Sequence, residues 1–143
     1  PWMSIGYETQ VPPISTLTFY NAIANGGKMM RPRFVKKVVK DGTALVEYPP
    51  IIQRERIAKE STITQIRRIL TEVVSEGLGK KAGSDKFSVA GKTGTAQMSK
   101  GVAGYKTGVT DYLLSFAGFF PADAPRYSCI VCIQKSGLPS SGG

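Results

Sequence analysis

The chain has 143 residues, 41% hydrophobic and 20% charged, an ordinary globular composition long enough for one packed domain or part of one. Basic residues outnumber acidic ones 19 to 10, giving a net charge of +9, and histidine is absent. That absence excludes His-based triads and most zinc sites; no metal or other cofactor is expected. No apolar run approaches the ~18 residues a membrane span requires. The cations are scattered in pairs such as Lys36-Lys37, Arg67-Arg68 and Lys80-Lys81. With no recognition motif beside them they are read as solvated faces, and nucleic acid is not expected as a partner. The chain opens at Pro1 and closes on Ser141-Gly142-Gly143, and is expected to be a piece of something longer.

In chain order, Pro12 and Pro13 open a predicted helix over 14–25, with apolar Ile14, Leu17, Phe19, Ala22 and Ile23. Asn25-Gly26-Gly27 should end it as a left-handed cap. Segments 33–40 and 44–48 read as a hairpin closed near Asp41-Gly42, a favoured tight-turn pair, and Pro49-Pro50 breaks the chain. A second helix is predicted over 62–75. Thr62 and Gln65 would form its capping box, and Ile63, Ile66, Ile69, Leu70, Val73 and Val74 one apolar stripe.

Gly77 and Gly79 stop that helix, and a basic loop follows over 80–86. Strands are predicted at 87–97, 112–120 and 127–134. The last two are joined by only 121–125, short enough for an antiparallel turn alone. The Gly-rich connection 98–111 is long for a simple link and could serve function. The fold class is α+β, an antiparallel sheet with packed helices.

Cys129 and Cys132 spell C-x-x-C, but inside a strand by composition. Three residues apart in a strand, their Cα atoms lie roughly 10 Å apart on opposite faces, whereas a disulfide wants about 7 Å or less. They are expected to be buried structural thiols.

The stretch carrying chemistry is Val89-Ala90-Gly91-Lys92-Thr93-Gly94-Thr95-Ala96-Gln97. On an extended strand Lys92, Gly94 and Ala96 share one face, and Thr93 and Thr95 the other. Gly94 would leave its face bare, as where a ligand or another backbone approaches closely. An ammonium, two hydroxyls and an edge amide together can bind a carboxylate and the oxygen of an attacked carbonyl. Gly91-Lys92-Thr93 also mimics the end of a P-loop, but that motif needs glycine where Lys86 stands, and a helix where β-favouring residues follow. A nucleotide site is excluded.

Lys92-Thr93-Gly94 matches one of the signatures of penicillin-binding proteins and serine β-lactamases. Gly6-Tyr7-Glu8-Thr9-Gln10-Val11-Pro12-Pro13-Ile14, followed by Tyr20-Asn21-Ala22-Ile23-Ala24-Asn25-Gly26-Gly27-Lys28, resembles a helix and turn of class B penicillin-binding protein transpeptidases. Val89 to Gln97 resembles their third-motif strand. Ser115-Phe116-Ala117-Gly118-Phe119-Phe120-Pro121, with Pro125-Arg126-Tyr127, resembles the two strands after it, in wording nearer the cell-division branch. The order holds over nearly the whole chain. Pro12 stands where the family usually has a capping threonine.

The resemblance implies an incomplete, serine β-lactamase-like transpeptidase domain, with 1–143 its C-terminal portion. The nucleophile-bearing portion and the final helix would lie outside it. The family's Ser-x-x-Lys and Ser-x-Asn motifs do not occur: no lysine has serine three positions before it, and no asparagine has serine two before it. By resemblance, Lys92 supplies charge near the proton relay and the substrate carboxylate, while Thr93 and Thr95 hydroxyls bind that carboxylate. The Thr95 amide forms half an oxyanion hole, Gly94 lets substrate lie along the edge, and Gln97 extends it.

The implied parent is a membrane-anchored, extracytoplasmic peptidoglycan transpeptidase that binds stem peptides and β-lactams, with divisome proteins as further partners. A β-lactamase-related hydrolase or sensor and a non-catalytic wall-binding module are the alternatives. In the family the 127–134 strand is covered on both sides. A bare edge there implies self-association of the chain as a homodimer.

Overall fold

The computed structural model of the chain describes residues 11–98 and 110–138. Residues 6–10 of the first resemblance block, most of the 98–111 connection and the stretch 139–143 lie outside these. The expectation of a functional loop at 98–111 falls there with them.

Helix α1 spans Pro13–Ala24, with Pro12 as its N-cap and no side-chain capping bond. Its C-terminus follows the expected pattern. Gly26 and Gly27 have φ of 67° and 94°, and the Gly27 amide donates to Ala22 O at 2.8 Å, the six-to-one bond of a Schellman motif.

A small projecting arm comes next. Strand β1, Met29–Met30, pairs with β4, Ile52–Arg54, an antiparallel contact not foreseen from the sequence. Between them, β2 (Lys37–Lys40) and β3 (Thr43–Glu47) form the expected hairpin. Asp41 and Gly42 turn it with φ of 51° and 79°, both positive as a type I′ turn requires. The first strand begins four residues later than predicted, at Lys37.

Helix α2 covers Glu60–Ser75 with Lys59 as N-cap and no side-chain capping bond. The predicted capping box of Thr62 and Gln65 is therefore not formed. The Ile63 amide already bonds Lys59 O at 3.0 Å, which puts Thr62 inside the first turn. The buried stripe is Ile63, Leu70 and Val74, while Ile66 and Ile69 are exposed.

Arg67 takes the position the stripe leaves polar. Its guanidinium donates to Ala122 O at 2.9 Å and Asp123 O at 3.1 Å. Ser88 completes this latch: its hydroxyl donates to Asp123 Oδ1 at 2.9 Å, and the Ala122 amide donates to Ser88 O at 2.9 Å. The Ser88 hydrogen bond, ahead of nearby backbone amides, lowers the Asp123 carboxyl below its ordinary range.

Three long strands form the main sheet in the order β5-β6-β7, all antiparallel. They are β5 (Ala90–Met98), β6 (Thr110–Phe120) and β7 (Tyr127–Leu138). Ala90 is opposite Phe119, and Phe119 opposite Ser128; residues so paired share a face. On that face Ala90 and Phe119, both fully buried, meet Ile23 of α1, Leu70 of α2 and Ala122. Asn21 fixes α1 to β7 by donating to Ser128 Oγ at 3.0 Å.

Gly91 and Gly118, opposite each other, are required by Phe116, whose ring lies across both. A Cβ on Gly91 would come within 2.4 Å of the Phe116 ring, and one on Gly118 within 2.4 Å of Ala90 O. The α+β expectation, antiparallel sheet with packed helices, is borne out.

The cysteines need correction. Both are free and point to opposite faces of β7, but Cys129 is only half-buried and Cys132 is exposed. They were expected to be buried because the strand is apolar. Burial, however, needs a covering element, and among the described residues no strand lies on the outer edge of β7. The partial burial of Cys129 pushes its thiol pKa up.

Candidate functional site

Strand β5 lies at one margin of the sheet and presents the candidate residues in a row. Lys92 is opposite Ala117, Thr93 opposite Phe116, Gly94 opposite Ser115, Thr95 opposite Leu114 and Gln97 opposite Tyr112. The alternation expected from the sequence therefore holds. Lys92 and Thr95 are exposed, while Thr93, Gly94 and Gln97 are half-buried.

The Lys92 ammonium folds along its own strand. Its Nζ donates to Thr93 O at 2.7 Å and lies 3.5 Å from Thr93 Oγ1. In an extended strand, backbone groups two residues apart leave on the same side. The Thr95 amide thus lies on the edge that carries the Thr93 carbonyl. A cation, a hydroxyl and an edge amide are gathered within four consecutive residues.

The face at Gly94 is not bare, contrary to expectation. Ser115 Oγ stands 2.5 Å from where a Cβ on Gly94 would lie. Glycine is needed there to admit the neighbouring strand's hydroxyl. Ser115 carries no local signal of this placement, which follows from its register with Gly94 across the sheet.

A hollow of about 330 Å³ opens on the Thr93 face of the sheet. Thr93, Gly94 and Thr95 line it together with Leu114 and Phe116, and Lys81 and Ala82 close it from the turn after α2. Lys80, Lys81 and Lys86 of the basic loop are exposed, as expected of solvated cations. Lys80–Ala82 forms a single 3₁₀ turn, which also places Lys81 at the rim of the hollow that Thr93 lines. That turn is held to α2 by the Gly79 amide, 2.9 Å from Val73 O. Glycine is required at Gly77 and Gly79 because a Cβ would meet Val73 O at 2.8 and 3.0 Å.

Among the described residues no group of three acidic or cysteine side chains could hold a metal. Nor is any helix long and apolar enough to cross a membrane.

This arrangement, an antiparallel sheet bordered by a Lys-Thr-Gly strand with helices on one face, is that of part of a penicillin-binding transpeptidase domain. The chain belongs to the penicillin binding protein transpeptidase domain family, whose model matches residues 2–143. It is 34% identical over 133 residues to the stage V sporulation protein D of Bacillus subtilis, covering 92% of this chain and 20% of that protein.

Among solved structures, the transpeptidase domain of Burkholderia pseudomallei penicillin-binding protein 3 superposes with a TM-score of 0.68 at 32% identity, covering 99% of this chain and 38% of that one. The D,D-transpeptidase domain of an Eggerthella lenta peptidoglycan glycosyltransferase gives 0.69 at 28% identity, covering 93% and 30%. The chain spans about a fifth of the length of the curated relatives it matches.

Proposed function

We propose that the chain is the C-terminal portion of the catalytic domain of a class B penicillin-binding protein of the cell-division branch. In that role it supplies the Lys-Thr-Gly wall of a peptidoglycan D,D-transpeptidase. The observation that carries this is the juxtaposition on β5 of the Lys92 ammonium, the Thr93 hydroxyl and the Thr95 edge amide.

In the parent protein, a serine from a Ser-x-x-Lys motif outside this chain attacks the carbonyl of the penultimate D-alanine of a stem peptide. The terminal D-alanine leaves, and the acyl group passes to the amine of a neighbouring stem. Thr93 and Thr95 hydroxyls bind the terminal carboxylate, and Lys92 neutralises it while biasing the proton relay. The Thr95 amide stabilises the developing oxyanion. Gly94 keeps the edge low enough for a ligand to lie along it, and Gln97 prolongs that edge. β-Lactams present the same carboxylate and carbonyl and remain attached. The parent is anchored in the cytoplasmic membrane with this domain outside it.

The nucleophile being elsewhere, the chain alone is expected to form no covalent adduct with penicillins. Incubation with a fluorescent penicillin and denaturing electrophoresis should leave it unlabelled while the parent labels one-to-one. A stoichiometric band on the 143-residue chain would place a nucleophile here and overturn the assignment.

Strand β7 is the source of a second expectation. Its outer edge has no partner strand among the described residues, and Val131 and Ile133 are half exposed at 52% and 51%. Neither proline nor inward charge guards the stretch 128–133. Two copies pairing there about a two-fold axis would satisfy both edges. Light scattering after size exclusion at low micromolar concentration should give twice the 15.4 kDa chain mass. A monomer would mean that the edge is covered.

A further inference from the structure

Residues 28–59 hold nine basic and three acidic side chains, a balance of +6 out of the chain's +9. Across this span every residue of β2, β3 and β4 is exposed. Among the described residues the β2–β3 hairpin is a two-stranded sheet of its own, and each of its strands has an outer edge with no described strand against it. Such hairpins are marginal alone in water. This one is kept in shape by its type I′ turn, by the Tyr48 amide 3.0 Å from Lys36 O, and by Arg33 Nη1 donating to Tyr48 O.

Its charge is unbalanced. Arg31, Arg33, Lys36, Lys37 and Lys40 fall within ten residues that contain no acidic side chain. Of the cations in the span, only Lys28 has an ion-pair partner among the described residues, Glu55 at 3.8 Å. Apolar groups are interleaved with them. Val38 and Val39, exposed by 43% and 47%, point to opposite faces, so among the described residues nothing covers either face of the hairpin at these positions. A planar lipid surface would cover one face only. Lysines on an edge repel a second copy of that edge and suit one of opposite charge.

We propose that the outer edge of β2 docks an extended, acidic segment of a partner protein, which adds a third strand to the hairpin. Backbone hydrogen bonds to the edge fix the segment. Its carboxylates, all on one face, meet Lys36 and Lys40 beside Val38, and its alternate apolar side chains, on the other face, cover Val39 next to Lys37.

The test uses the full chain and a fluorescent peptide of alternating glutamate and valine, followed by anisotropy. Saturable binding is expected. The triple variant Lys36→Glu, Lys37→Glu, Lys40→Glu should weaken it about tenfold or more, with circular dichroism confirming an unchanged fold. A control variant, Lys80→Glu with Lys86→Glu, should bind as the wild type does.

The same peptide N-methylated at alternate residues keeps its charge but cannot pair, and should lose binding without any change to the protein. Equal binding of the methylated peptide would reduce the contact to charge alone and overturn strand addition. Wild-type affinity in the triple variant would overturn the site. Binding to phosphatidylglycerol vesicles with none to the peptide would make the arm a lipid contact and overturn the proposal.

Discussion

Replacing Lys92 with alanine in the intact parent protein is expected to slow acylation by a β-lactam about 10²–10³-fold. The ammonium is held at the β5 edge, 2.7 Å from Thr93 O and beside the Thr93 hydroxyl. Anchored there, it needs no reorganisation as a ligand carboxylate arrives. Lys92 is exposed in this chain, but in the parent protein a bound ligand would lie over it and exclude water. Removing a preorganised, charge-assisted contact there costs on the order of 2–4 kcal/mol of transition-state stabilisation. Lys80, whose neighbour Lys81 rather than itself lines the hollow, serves as the control, and Lys80→Ala should acylate as the wild type does. Stopped-flow measurement of the acylation rate decides the matter. Equal rates for wild type and Lys92→Ala would remove Lys92 from the chemistry.

Phe119→Ala should be the most damaging core substitution. Phe119 has 0% exposure and is the largest fully buried side chain among the described residues; it joins β6 to α1, α2 and β5. Truncating such a ring costs about 3–5 kcal/mol, from lost transfer free energy and the cavity left behind. Natural domains have only about 5–15 kcal/mol in total, so the variant should be substantially unfolded in mild urea. Phe34, 86% exposed on the arm, is the matched comparison, and Phe34→Ala should shift stability by about 0.5 kcal/mol or less. Coincident urea midpoints for the two variants would mean that the core is misplaced.

Much of the local structure was written in short stretches of sequence. Asp41-Gly42 and Asn25-Gly26-Gly27 predict their turns because only residues tolerant of positive φ fit there, and that preference acts within a few residues. The β5 alternation follows from the two-residue period of any strand. The sequence alone therefore separates Lys92 from Thr93 and Thr95. The family was also readable, since its motifs are strings in fixed order.

Tertiary structure decided what depends on residues far apart in the chain. The start of α2 moved to Glu60 because backbone bonding from Lys59 preceded any side-chain cap. Its buried face was set by the Arg67 latch onto Ala122 and Asp123, which took a position an apolar stripe would have claimed. The placing of Ser115 against Gly94 is a matter of strand register. The choice of Lys81 over Lys80 follows from how the turn after α2 packs on Val73.

By itself the sequence determined the chemistry carried by β5 and the turns that shape the chain, because both reside in neighbouring residues. Which side chains are covered could be decided only by folding. Val131 and Ile133 are as apolar as Ala117 and Phe119, yet they stay exposed on the outermost strand of the sheet, since burial belongs to a pair of surfaces and not to a residue.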